Sequence, residues 1–241
     1  IAAICIETVV GTAGIMAPTP GYLEGLRKIC DKYGILWIAD EVMAGFGRTG
    51  EWFAFHHATA KPDLIVFAKG SNSGYIPVGG VIIDKPIYET FVEKVFPGGL
   101  TYSGHPLATA SIVATLDVMK EENMIENARE IGKNIIGPAL EKMKEKHSSI
   151  GDVRGMGVFW AVEFVKDKKT KEPLVPYNAS GKDAAPMVEL GAECKKLGLM
   201  PFINMNRLHV VPPCNISQSD AEKGLAILDQ AFAVTDKYAS A

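Results

Sequence analysis

Two apolar runs of this chain end in residues that can do chemistry. Ile35-Leu36-Trp37-Ile38-Ala39 ends in Asp40-Glu41, and Leu64-Ile65-Val66-Phe67-Ala68 ends in Lys69-Gly70. A carboxylate at the end of a buried strand is costly unless a cation, a metal or a proton donor meets it. Three readings fit Asp40 taken by itself. In a P-loop NTPase a hydrophobic strand ending in Asp-Glu holds magnesium and positions the attacking water. In a pyridoxal-phosphate enzyme the Asp pairs with the protonated pyridine nitrogen, and on an ordinary surface the carboxylate simply caps the loop that follows. Lys69 favours the second. Desolvation disfavours an ammonium, and an amine that can lose its proton forms a Schiff base with an aldehyde. An isolated Ala-Lys-Gly would read as a solvated lysine opening a loop; on the same sheet edge as Asp40 it reads as half of a site. No GxxxxGK[ST] occurs in the chain, which weakens the nucleotide reading, although a segment outside the chain would hide one.

These residues need a sheet to aim them. Over the first hundred residues short apolar runs alternate with turns and one helical pattern, the signature of an α/β sheet with strands covered on both faces. Strands are expected over residues 3–9, 35–39, 64–68 and 78–83. A helix is expected over 18–33, with Pro20 near its start, apolar Tyr22, Leu23, Leu26 and Ile29 at helical spacing, and Gly34 as its stop signal. Three parallel strands ending in polar residues direct that chemistry to one edge, where open α/β sheets bind ligands. From Pro106 the character changes. Two long amphipathic helices, 107–122 and 125–147, break around Asn123. A strand over 157–165, a charged hairpin or loop over 166–172 and a helix over 184–197 follow. Short apolar runs at 199–203 and 208–211 then lead to a closing helix over 217–238, capped by Ser217 or Ser219, so this tail is α+β.

Composition narrows the class. With 241 residues, 47% hydrophobic and 22% charged, the chain is not disordered, and 25 basic against 28 acidic side chains leave no nucleic-acid footprint. The apolar runs are too short to span a bilayer. The opening Ile1-Ala2-Ala3-Ile4-Cys5-Ile6 reads as the middle of a buried strand, and hence as a piece of a longer polypeptide. Cys5, Cys30, Cys194 and Cys214 are scattered, form no CxxC pair and read as core thiols, which suits a reducing, cytoplasmic setting. No metal site is expected, since the adjacent His56 and His57 would not point at one ion.

Several segments taken together resemble the class III aminotransferases, the ω-aminotransferase subgroup of fold-type I pyridoxal-phosphate enzymes. They are Trp37-Ile38-Ala39-Asp40-Glu41-Val42, Gly45-Phe46-Gly47-Arg48-Thr49-Gly50, Pro62-Asp63, Ala68-Lys69-Gly70, Gly79-Gly80, Thr101-Tyr102-Ser103-Gly104-His105-Pro106 and Pro212-Pro213. The resemblance implies the C-terminal half of such a fold. Residues 1–105 would be part of the large cofactor-binding domain, 106–130 a linker helix, and 131–241 a small α+β C-terminal domain. It also implies that Lys69 holds pyridoxal 5′-phosphate and shuttles the proton, that Asp40 keeps the pyridine nitrogen protonated and that Val42 packs on the ring. Thr101 would donate to the cofactor phosphate of a neighbouring subunit, making a homodimer, or a tetramer built on it, part of the active site.

Two departures from the family pattern bear on substrate. Glu7 aligns with a Glu-Pro segment, but Thr8 and Thr12 replace the usual Pro and a second acidic residue. An arginine that often binds a carboxylate three residues before the Pro-Pro pair is replaced here by His209. Arg207 lies two residues earlier and, if residues 206–211 are extended, shares its face, so it could supply the anion contact; a surface arginine on a loop is the plain alternative. Within the class, Ser71-Asn72-Ser73-Gly74-Tyr75, Phe96-Pro97-Gly98-Gly99-Leu100 and residues 201–207 are most similar to taurine–2-oxoglutarate transaminases. The implied partners are a small ω-amine (taurine, β-alanine or 4-aminobutyrate) and a 2-oxo acid such as 2-oxoglutarate or pyruvate, with neither nucleic acid nor membrane.

Overall fold

A computed structural model describes residues 1–240, which divide into two compact units: Ile1–Val9 with Pro18–Ile125, and Val10–Ala17 with the chain from Glu126 onward. The first unit is built on a four-stranded sheet in the order β1 (Ala3–Glu7), β2 (Leu36–Asp40), β3 (Leu64–Phe67), β4 (Gly80–Ile83). The first three strands are parallel, and β4 runs antiparallel at the edge. Register decides what the edge presents: Glu7 lies opposite Asp40, and Asp40 opposite Val66. Strand β1 is shorter than the expected 3–9, because beyond Thr8 the chain leaves the sheet and Val10 bridges to Met16.

Helix α1 (Tyr22–Tyr33) starts four residues later than its apolar pattern suggests. Gly21 takes a left-handed φ of 82°, which turns the chain after Pro20 and sets the start; Gly34, at φ 63°, ends the helix as expected and donates to the Cys30 carbonyl. The helix buries Leu23 and Cys30 in a core with Ile35, Trp37, Ala39 and Phe55. Tyr22 and Ile29, expected on that face, are instead about half exposed, at 50% and 51%. Asp63 ties strand to helix by accepting from the Trp37 backbone N–H at 2.7 Å and from Arg27 at 2.8 Å. A short α2 (Lys85–Thr90), absent from the sequence pattern, is capped by Asp84. Helix α3 (Pro106–Glu121) follows, with Nδ1 of His105 accepting from the Leu107 N–H.

The second unit carries an antiparallel sheet in the order β5 (Ile150–Met156), β6 (Phe159–Phe164), β8 (Arg207–Val210), β7 (Phe202–Asn204). Its helices are α4 (Met124–Ile131), α5 (Gly137–Lys146), α6 (Ala185–Lys196) and α7 (Gln218–Asp236), with Ser217 as the N-cap of α7. Leu140, Ile150, Phe164, Leu190, Leu208, Leu228 and Phe232 make its core. The expected helix over 125–147 is interrupted by a π turn at Gly132–Ile136. There the helix comes so close to the β5–β6 turn that a Cβ at Gly132 would lie 1.8 Å from the Gly157 carbonyl oxygen. Strand β5 was not anticipated. Two glycines and an irregularity between Ile150 and Asp152 erase its alternation. The charged segment 166–172 forms the expected hairpin-like loop, with Lys166 N–H donating to the Glu172 carbonyl and their side chains paired at 2.7 Å.

The architecture is therefore the mixed α/β arrangement with a mainly parallel sheet that the sequence pattern implies. All four cysteines are free; Cys30 and Cys194 are core thiols, but Cys5, expected there, is exposed on the edge strand β1. Among the described residues no helix is long and apolar enough to cross a membrane.

Candidate active site

The C-terminal edge of the parallel sheet carries two adjacent carboxylates with opposite fates. Glu41 is fully buried, and its oxygens accept the backbone N–H groups of Ala54 at 2.9 Å and Phe55 at 3.0 Å. Burial pushes the Glu41 pKa up, and these two hydrogen bonds act against that rise. Its backbone N–H meanwhile donates to the Val66 carbonyl of β3. Glu41 thus staples the glycine-rich loop that follows β2 back onto the strand. Asp40 is half-buried and takes one hydrogen bond, from the Val42 N–H to Oδ1 at 3.0 Å. Its second oxygen has no partner among the described residues, so it can accept a cationic N–H.

Lys69 begins a 3₁₀ turn, Lys69–Asn72, immediately after β3 and Ala68. Its φ of 44° is left-handed, a conformation uncommon for a residue with a Cβ and worth about 1–3 kcal/mol of strain. Its side chain is exposed and makes neither a hydrogen bond nor an ion pair among the described residues. Gly70 lets two loops meet, since a Cβ there would lie 2.9 Å from the Cβ of Phe46 in the loop after Asp40. Phe46, itself left-handed at φ 58°, packs edge-on against Phe53 and Phe67. One residue beyond Gly70, the Ser71 hydroxyl is buried without a hydrogen-bond partner. An open carboxylate oxygen, an uncommitted amine and an orphaned hydroxyl on one sheet edge suit a ligand with a protonated ring nitrogen and an aldehyde.

The other expected site residues lie on several elements. Val42 is half-buried beside Asp40, and Glu7 is level with Asp40 on β1. Thr101 lies exposed in the turn before α3, its hydroxyl without a partner among the described residues. Arg207 belongs to the second unit. Its strand is extended, so it does share a face with His209, but it is no loop arginine: its Nε sits 3.7 Å from Glu163 Oε2. Sequence reasoning missed Arg154, which pairs with Glu163 at 2.6 Å and Asp152 at 2.7 Å and donates to the Gly14 carbonyl at 2.7 Å. The signal was Asp152 and Arg154 two apart on a strand, unreadable while β5 itself went unrecognised. His209 is 4% exposed, and its pKa is pushed down to about 4, first by burial and then by the Arg207 and Arg154 charges. It is a neutral group at ordinary pH. Of the adjacent histidines, His57 faces the Thr49 carbonyl and hydroxyl, and His56 packs edge-on against Phe55.

A model of the aminotransferase class III family matches residues 1–232. The chain belongs to this family. It is 33% identical over 241 residues to the taurine–pyruvate aminotransferase of Bilophila wadsworthia, a match covering 98% of this chain and 52% of that protein. To the 4-aminobutyrate aminotransferase GabT of Escherichia coli it is 36% identical over 239 residues, covering 96% and 52%. Among solved structures it is similar to the taurine:2-oxoglutarate aminotransferase from Bifidobacterium kashiwanohense in complex with PLP and glutamate. That similarity has a TM-score of 0.92 and 41% identity over 98% of this chain and 52% of the other. This class III chain thus spans about half the length of the relatives it matches. Family membership sets aside the nucleotide reading of Asp40.

Proposed function

We propose that this chain carries the cofactor lysine and the ring-nitrogen carboxylate of a pyridoxal-phosphate-dependent transaminase. The reading rests on one observation: the open oxygen of Asp40 and the strained, uncommitted Lys69 stand at the same end of a parallel sheet, in a class III chain. Pyridoxal phosphate, when bound, supplies an electron sink for the carbon that bears the amine. Lys69 would hold the cofactor through its amine and, when free, would be the base that moves the proton at the substrate carbon. Asp40 would hold the ring nitrogen protonated, and Val42, beside it, would pack on the ring.

The favoured amino donor is an ω-amine with a terminal anion, taurine first and β-alanine or 4-aminobutyrate next, with 2-oxoglutarate or pyruvate as acceptor. Arg207 supplies the anion contact, because His209 is neutral and cannot offer a second charge. Thr101 serves the phosphate of a neighbouring subunit in a homodimer. The exposed Phe96, Leu100, Tyr102 and Leu107 around it support that reading, since apolar clusters of this kind mark interaction surfaces. Free thiols throughout suit a cytoplasmic enzyme.

A panel of taurine, β-alanine and 4-aminobutyrate against both oxo acids tests this, run on the wild type and on Arg207→Ala. The expected result is transfer from at least one donor. The variant should raise KM about ten- to a hundredfold, the loss of one charge-assisted contact, with cofactor binding little changed. Stoichiometric cofactor uptake with no transfer from any donor would identify a silent binding module instead. An unchanged KM for donor and acceptor alike would remove Arg207 from the site.

A further inference from the structure

We infer that Asn72 and Ser111 form a clamp that positions Lys69. Asn72 is 1% exposed, and both polar atoms of its side-chain amide have partners. Nδ2 donates to the Ile76 carbonyl at 2.7 Å and to Ser111 Oγ at 3.1 Å, while Oδ1 accepts the Gly74 N–H at 3.2 Å. Ser111 completes the chain by donating its own hydroxyl proton to the Ala108 carbonyl at 2.7 Å. Every polar atom of the pair is satisfied, so the arrangement has one hydrogen-bonded solution.

The segment it grips needs such a restraint. Lys69, Ser73 and Gly74 all hold left-handed φ values, 44°, 54° and 77°. Strained backbone persists only where its surroundings over-determine it. On one side Gly70 abuts Phe46 from the loop after Asp40, and on the other Asn72 reaches 39 residues along the chain to α3. Helix α3 begins five residues after Thr101. One hydrogen bond therefore joins the turn that presents the lysine to the helix that follows the phosphate-binding threonine. A local Asx turn would account for the Gly74 bond but not for the bond to Ser111. Asn72 touches no reacting atom in this account and acts through Lys69.

The inference rests on the proposed role of Lys69, and its test separates the two. Ser111→Ala removes the far partner with little disturbance, Ser111→Thr restores the hydroxyl, and Asn72→Ala removes the whole clamp. In the cofactor-free protein, amide hydrogen exchange over residues 69–76 should quicken in Ser111→Ala and return in Ser111→Thr. In the loaded protein, the pH midpoint of the lysine-bound cofactor's absorbance should shift in the alanine variants. Their kcat should fall about ten- to a hundredfold, the scale of an ångström's misplacement, with donor KM within about twofold of wild type. A lower melting temperature with exchange over 69–76, absorbance midpoint and kcat all as in wild type would overturn the clamp and leave Asn72 a packing residue. If borohydride reduction of the wild-type protein leaves Lys69 unmodified, the role of Lys69 itself falls, and the clamp with it.

Discussion

Asp40 and Glu41 are chemically near-identical neighbours, and backbone geometry alone gives them different work. Glu41 points into the loop and spends both oxygens on N–H groups, whereas Asp40 keeps one oxygen open. Asp40 and Lys69 were legible as residues at the ends of strands, because a polar residue closing an apolar run is a local pattern. Glu41, Asn72 and Arg154 were not, since their partners lie up to 140 residues away and nothing in the local sequence announces them. His209 shows the same limit, for its replacement of an arginine was readable but its neutrality was not. Folded His209 binds a proton only near pH 4, against 6.5 for the free side chain. Between those values the unfolded chain binds more protons, so stability is lost as pH falls from about 6.5 to 4, by on the order of 3 kcal/mol. Denaturant titrations at pH 7 and pH 4.5 should show a smaller acid loss in His209→Gln than in wild type. Equal losses would mean that His209 is not held neutral.

Among elements, the longer helices and the parallel strands came through in the sequence because their patterns are strong, whereas the six-residue α2 was missed and β5 was lost because glycines and charges dilute it. The π turn at Gly132 was invisible for another reason: it answers a backbone approach from Gly157, a tertiary demand with no local signature. Helix α7 is fastened in a similarly non-local way. His147, at the C-terminus of α5, meets two α7 carboxylates, Asp236 through Nδ1 at 2.6 Å and Asp229 through Nε2 at 3.0 Å. Burial alone would raise Asp236, but hydrogen bonds from His147 and from the N–H and hydroxyl of Ser149 hold its pKa below the usual value. His147→Ala leaves a partly buried carboxylate short of a donor, so it should cost about 2–4 kcal/mol in urea unfolding. A change below about 0.5 kcal/mol would show that His147 contributes nothing to holding α7.

For the molecule as a whole, each unit keeps its own core, one around Trp37 and the other around Phe164 and Phe232. The α/β order of the elements foresaw the sheet. The boundary was less readable, because residues 10–17 join the second unit through contacts with Arg154 and Asn204 that no periodicity encodes. The chain matches class III aminotransferases across residues 1–232 while spanning about half the length of the relatives it matches. Under the proposed function, Lys69 is the residue joined to the cofactor. Borohydride reduction of the pyridoxal-phosphate-loaded protein, followed by peptide mass mapping, tests that claim directly. A pyridoxyl group is expected on the peptide containing Lys69 and none in Lys69→Ala; a label on any other lysine, or no label at all, would remove Lys69 from that role.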